Sequence, residues 1–284
     1  MTGRITSIIG NNYIVSLGDN SISTTPKGIL RYKNLVPIVG DFVVVDEENQ
    51  IIDIVDRSSL LKRPRIANVD KIIIVSSLVE PDLDLGLLFK YITYANMNDI
   101  HARVVFTKKD KIDNDNLLKE LREIFTKLNM EVFFINSKLK DGVDEVIECL
   151  KNKTVVIVGQ TGVGKSSLIN AIEPSFAREI GEYSVARGRG KHKTKEVILF
   201  PFNGGYIADS PGFSAFDLEL DKETLAKFYP FMYKNNAECY YSNCLHVSEP
   251  KCKIKEMIDS NLIPKRVYEE YLKLIDTLPV RRKY

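Results

Sequence analysis

Gly159-Gln160-Thr161-Gly162-Val163-Gly164-Lys165-Ser166-Ser167 carries the spacing G-x4-G-K-S, preceded by Thr154-Val155-Val156-Ile157-Val158 and followed by Leu168-Ile169-Asn170-Ala171-Ile172. The upstream run is apolar and β-branched, as a buried strand requires, and the downstream run suits a helix. A glycine loop between a strand and a helix is the context of a phosphate-binding loop. Its glycines let backbone N–H groups turn inward around phosphate oxygens, and the helix N-terminus adds partial positive charge. Lys165 is expected to reach the outer phosphates and Ser166 to ligate Mg²⁺.

The position of this loop past the middle of the chain is as informative as its content. Two segments with the character of base-recognition loops come before it: Thr107-Lys108-Lys109-Asp110 and Asn136-Ser137-Lys138. Each follows an apolar run, Ala102–Phe106 and Glu131–Ile135, so each falls where ligands bind on an open parallel sheet. The Asp110 carboxylate can accept two hydrogen bonds from the N1–H and N2–H₂ edge of guanine, and adenine offers no matching pair of donors. Base loops ahead of the phosphate loop invert the usual order, which implies a circularly permuted guanine-nucleotide domain. Two departures stand out. Thr107 occupies the place of the Asn in Asn-Lys-x-Asp, so a supporting amide is missing and weaker affinity is expected, and Lys138 follows Ser137 without the usual Ala.

Beyond the loop, Gly205-Tyr206-Ile207-Ala208 reads as a strand running into Asp209-Ser210-Pro211-Gly212. Asp209 is placed to hold Mg²⁺ through water and the Gly212 amide to sense a γ-phosphate. Ras-like enzymes follow this turn with a Gln that orients the attacking water, whereas here the residue is Phe213.

A chain of 284 residues with 44% hydrophobic and 27% charged content fits two or three globular domains. No apolar run is long enough for a membrane span, and Met1-Thr2-Gly3-Arg4 does not open a signal peptide, so a cytoplasmic protein without a membrane partner is expected. The net charge of +2 carries no overall nucleic-acid signature, although Arg178–Lys195 holds six basic residues against two acidic. Such a stripe suits phosphate or a solvated loop equally.

Three domains are expected. Residues 1–62 contain five short strands between Gly/Asn/Asp turns and fit a small oligonucleotide-binding (OB) type β-barrel. Basic and acidic residues nearly balance there, which leaves RNA binding and a purely structural role both open. Leu60–Arg65 reads as a basic, proline-marked link, and residues 63–217 alternate strands and helices as an α/β sheet does. Residues 218–284 turn helical and aromatic and enclose Cys239-x4-Cys244-x-His246-x5-Cys252. Three thiolates and one imidazole complete the four-coordinate shell of a structural zinc. Cys149 sits in an apolar helix and reads as core packing.

Barrel, permuted order and Cys/His cluster together resemble the ribosome small-subunit-dependent GTPase A family of bacteria. The likeness runs over nearly the whole chain, including Leu61-Lys62-Arg63-Pro64, Ala67-Asn68-Val69-Asp70 and Ser248-Glu249-Pro250. It implies GTP hydrolysis to GDP stimulated by the small ribosomal subunit, and a role in late maturation of that subunit through rRNA contacts by a monomer. The family's switch pattern Gly-x-His-Thr-Thr is matched in part by Gly190-Lys191-His192-Lys193-Thr194. Thr194 is the matching Mg²⁺ and γ-phosphate sensor, and His192 becomes the candidate to orient water in place of the absent Gln. Two other classes compete: a nucleotide-gated RNA-binding scaffold with negligible turnover, favoured by Phe213, and a P-loop ATPase or small-molecule kinase, disfavoured by Asp110.

Overall fold

The computed structural model describes residues 1–18, 20–113, 115–176, 197–209 and 220–279. The described residues cluster into two compact units, one lying within 1–73, 143–157 and 166–214, the other within 74–142, 158–165 and 215–284.

The first unit begins with a closed barrel of five strands in the order β1-β2-β3-β5-β4, where β1 is Thr2–Ile9, β2 Asn12–Leu17, β3 Asn20–Pro26, β4 Phe42–Val45 and β5 Gln50–Ile54. Alternation places Ile5, Val15, Val43, Val45 and Ile51 inside, each essentially sealed from solvent. Asp46 sets the β4–β5 turn, its Oδ1 accepting the N–H groups of Glu48 and Gln50. Buried beneath the barrel wall, the Asp41 carboxylate accepts two hydrogen bonds from Arg57, at 2.7 and 2.8 Å, and one from the Ile38 N–H.

Two parts of this unit differ from the sequence expectation. A short helix, α1 (Gly28–Tyr32), lies where no element was expected, because Leu30 is buried completely while the rest of the turn stays exposed. The stretch read as a link is a hairpin, β6 (Leu60–Lys62) against β7 (Arg65–Ala67), since Leu61 and Ile66 pair across it and are both fully buried. Its apolar partners outweigh the charges around Pro64.

A six-stranded sheet follows in the order β10-β9-β8-β11-β13-β12. β8 (Lys71–Ser77) and β11 (Thr154–Val158) are apolar throughout their centres, as parallel strands covered on both faces must be. β9 (His101–Thr107) runs parallel to β10 (Val132–Phe134), and β11 parallel to β13 (Gly205–Asp209). β12 (Ile198–Phe202) pairs antiparallel with β13 through Asn203-Gly204, both at positive φ, the combination a two-residue hairpin turn needs. The helices of the sheet are α2 (Leu85–Met97), α3 (Asp115–Lys127), α4 (Val143–Leu150) and α5 (Lys165–Ile172). Asp84 caps α2, accepting the Leu87 N–H at 2.8 Å. Cys149 on α4 is only half-buried, with Lys71 Nζ 3.5 Å from its Sγ, so it contributes less to packing than expected.

Among the described residues, the last part of the second unit forms the helices α6 (Lys222–Phe228), α7 (Met232–Asn235), α8 (Lys253–Asp259) and α9 (Lys265–Thr277). They are joined to the sheet portion of the same unit by aromatic packing. Tyr229, fully buried, meets Phe89 edge-on at 5.6 Å and Tyr271 at a tilt at 5.1 Å between ring centres, and donates its hydroxyl to the Val267 carbonyl at 3.0 Å. No helix among the described residues is long and apolar enough to cross a membrane.

Candidate functional site

The glycine loop leaves β11 at Gly159 and enters α5 at Lys165. Gly159 sits at φ +148°, and a Cβ there would come within 2.2 Å of the Val75 carbonyl oxygen, so only glycine lets the loop pass β8 this closely. Gly164, at φ +95°, turns the chain into the first turn of α5. Thr161, Gly162, Ser166 and Ser167 are exposed, Gln160 is half-exposed, and Val163 is buried as the anchor of the loop. Lys165 Nζ lies over the loop, donating to the carbonyls of Gly159 and Gln160 at 2.7 Å each.

The first base-loop segment reaches the same loop. Thr107 is buried at the end of β9 and its hydroxyl donates to the Val163 carbonyl at 2.6 Å. Thr107 thus ties the end of β9 to the glycine loop through a hydroxyl. Lys108 adopts a left-handed backbone and extends its ammonium to the carbonyls of Gly162, at 3.0 Å, and Glu80. That turn lifts Asp110 into an exposed one-turn 3-10 helix, Lys109–Lys111, with its carboxylate open to solvent. The second segment is held by Asn136, whose Oδ1 accepts the N–H groups of Lys138 at 3.0 Å and Leu139 at 3.3 Å, leaving Ser137 and Lys138 outward. One unit therefore brings together Gly159–Lys165, Thr107, Lys108 and Asp110, with Ser137 and Lys138 on the neighbouring strand's loop. Asp209 closes β13, and its side chain, like Gly212, Phe213, His192, Thr194 and the Arg178–Lys195 stripe, lies outside the described residues.

A second centre lies in the helical region. The ligand atoms of Cys239, Cys244, His246 and Cys252 all fall within 4.8 Å of one another. His246 Nδ1 stands 3.4 Å from Cys252 Sγ and 3.6 Å from Cys239 Sγ, and those two sulfurs are 4.0 Å apart. A tetrahedral ion with metal–sulfur bonds of about 2.3 Å and a metal–nitrogen bond of about 2.0 Å spaces its ligands by such distances. Burial pushes the Cys244 thiol up to about 12 and raises that of Cys252, so without a cation these sulfurs stay protonated. Burial also lowers the His246 pKa, favouring the neutral imidazole that ligates metal. The four residues can hold a metal ion.

The surrounding shell is built for that loop. Glu249, unremarked as a structural group in the sequence, accepts the N–H groups of Leu245, Val247 and Ser248 and so folds the knuckle around His246. From α9, the Tyr268 and Tyr271 hydroxyls donate to the carbonyls of His246 and Leu245. His246 itself takes a left-handed backbone at φ 61°.

Comparison with known proteins gives one answer. The family model of the RsgA GTPase matches residues 54–219. The chain is 34% identical over 288 residues to a Staphylococcus aureus protein named small ribosomal subunit biogenesis GTPase RsgA, covering 99% of this chain and 98% of that one. It is 36% identical over 286 residues to the Clostridium perfringens protein of the same name, covering 99% of each. Among solved structures, YjeQ from Thermotoga maritima superimposes with a TM-score of 0.84 at 31% identity, covering 99% of both chains. YloQ, described as a circularly permuted GTPase, gives 0.80 at 29% identity, covering 100% of this chain and 96% of that one. With a closed barrel ahead of the glycine loop and a Cys/His knuckle behind it, the chain belongs to the RsgA GTPase family and is a circularly permuted GTP hydrolase.

Proposed function

We propose that this enzyme binds GTP on the Gly159–Ser167 loop, reads guanine with Asp110, and couples hydrolysis to late maturation of the small ribosomal subunit through rRNA contacts. Membership of the RsgA GTPase family gives it a role in ribosome biogenesis. The observation that supports the nucleotide reading is the tie of Thr107 and Lys108, three and two residues before Asp110 in the same segment, to the carbonyls of Val163 and Gly162. The Mg²⁺ ligands are Ser166 and Thr194, with Asp209 acting through water and the Gly212 amide as γ-phosphate sensor. Zinc is the ion of the Cys239, Cys244, His246 and Cys252 centre, since three sulfurs and a nitrogen at tetrahedral spacing leave no position open for catalysis. The chain acts as a monomer.

Phe213 offers no group to orient water, so His192 takes that role once the basic Arg178–Lys195 segment meets rRNA. The test is GTP turnover with and without purified small subunits. Slow turnover that subunits accelerate, with the acceleration lost in His192→Ala at unchanged GTP affinity, is the expected result. Absence of acceleration would favour a nucleotide-gated RNA-binding scaffold.

A further inference from the structure

A cavity of about 300 Å³ opens at the N-terminal end of β9, the opposite end of that strand from Thr107, and nothing in the nucleotide chemistry uses it. Its volume is at the small end of the range for bound small molecules. The last turns of α2, the connection from α3 to β10 and the segment entering α7 form its walls.

Three amides line it. Asn96 and Asn235 are fixed through their nitrogens, Asn96 Nδ2 donating to the Phe228 carbonyl at 2.9 Å and Asn235 Nδ2 to the Phe231 carbonyl at 2.5 Å. Asn129 supplies a third amide to the lining. Two aromatic rings, Phe231 and Tyr233, share the wall, and the Tyr233 hydroxyl is oriented by Asp99 at 3.0 Å. Arg103 and Lys127 also line the cavity, Arg103 Nε paired with Glu131 at 2.9 Å and Lys127 Nζ donating to the Asn261 carbonyl at 3.0 Å.

Phe231 is the outlier of this wall. Its backbone stands at φ 69°, ψ −31°, a region that bulky residues rarely adopt and that persists where the surroundings demand it. Its side chain is half-buried at the cavity wall. A ring held beside amide groups has the chemistry for stacking a base and meeting its edge. A protein anchor would instead call for an apolar pocket emptied of amides.

We propose that this cavity receives one unpaired nucleobase of a single-stranded RNA segment, stacked on Phe231 and met at its edge by Asn129. The choice of RNA rests on the rRNA-contact reading above, and the pocket extends that reading to a defined site away from the nucleotide.

The test is fluorescence anisotropy of a labelled single-stranded oligoadenylate of about ten nucleotides on the full-length, metal-loaded protein at fixed salt. Phe231→Gly and Asn129→Gly suit it because both native residues have positive φ, which glycine accepts without strain. Both variants are expected to stay folded, as read from a cooperative thermal transition, and to keep GTP affinity. Phe231→Gly is expected to weaken oligonucleotide binding about tenfold or more, and Asn129→Gly about threefold to tenfold. Wild-type affinity in both variants, or no binding by the wild type, overturns the proposal. Unchanged oligonucleotide binding with lost subunit binding also overturns it, assigning the pocket to a protein. Subunit-stimulated turnover of the wild type is measured alongside: its absence with pocket-dependent RNA binding intact fells the ribosomal reading alone.

Discussion

The Thr107 hydroxyl donates to the Val163 carbonyl at 2.6 Å, across a gap of 56 residues in sequence. Both residues are almost completely buried, so the bond has no water to replace it. It joins the end of the base-loop strand to the centre of the glycine loop.

Thr107→Val keeps the shape and removes the donor, leaving a buried carbonyl unpaired at a cost of about 1–3 kcal/mol. GTP affinity, read by titration with a fluorescent analogue, is expected to fall about fivefold to a hundredfold. Thr107→Ser should stay near wild type. Equal affinities for Thr107→Val and the wild type would show that the two loops are aligned by other contacts.

Asp110 is exposed on its 3-10 turn, free to meet a base edge. Asp110→Asn exchanges a double acceptor for an amide that can donate to the xanthine carbonyl, so preference is expected to move from GTP toward xanthosine triphosphate. Competition between the two nucleotides checks this, and retained GTP selectivity would sink the assignment of Asp110. Lys165→Ala, in the same assay, should abolish measurable GTP binding by removing the outer-phosphate charge partner.

The Cys239, Cys244, His246 and Cys252 centre predicts one zinc per chain by elemental analysis of freshly purified protein. Cys244→Ser or chelation should raise hydrogen exchange through residues 236–279, where Glu249, Tyr268 and Tyr271 hold the knuckle, while GTP affinity changes less than about threefold. A protein without metal that shows native exchange protection there would contradict this.

Arg57 is the partner of the Asp41 carboxylate, which has no exposed side-chain surface. Arg57→Ala strands that charge inside the barrel and is expected to destabilise the protein by about 3 kcal/mol, read in urea unfolding. A loss below about 1 kcal/mol would mean that Asp41 is carried by the Ile38 N–H alone.

The legible parts of the chain are those whose signal is local. The β-branched run of β11 with the glycines after it, the five alternating strands of the barrel, and the Cys/His spacing are set by period and by chemistry within a few residues. The Asn203-Gly204 turn of β12–β13 was equally local and could have been read from that dipeptide. Leu60–Arg65 read as a link because charge and proline dominate its composition, whereas the pairing of Leu61 with Ile66 made it a hairpin.

By itself the sequence determined a permuted guanine-nucleotide fold, because loop order along the chain is a property of the sequence and phosphate, base edge and metal each require particular residue types at short spacing. Tertiary structure alone decided that the Thr107 hydroxyl meets the Val163 carbonyl, that Glu249 and two tyrosines shape the metal knuckle, and that Asn96, Asn129 and Phe231 line one cavity. Those relations join residues from distant parts of the chain or depend on a single backbone angle, and neither leaves a periodic trace in the order of amino acids.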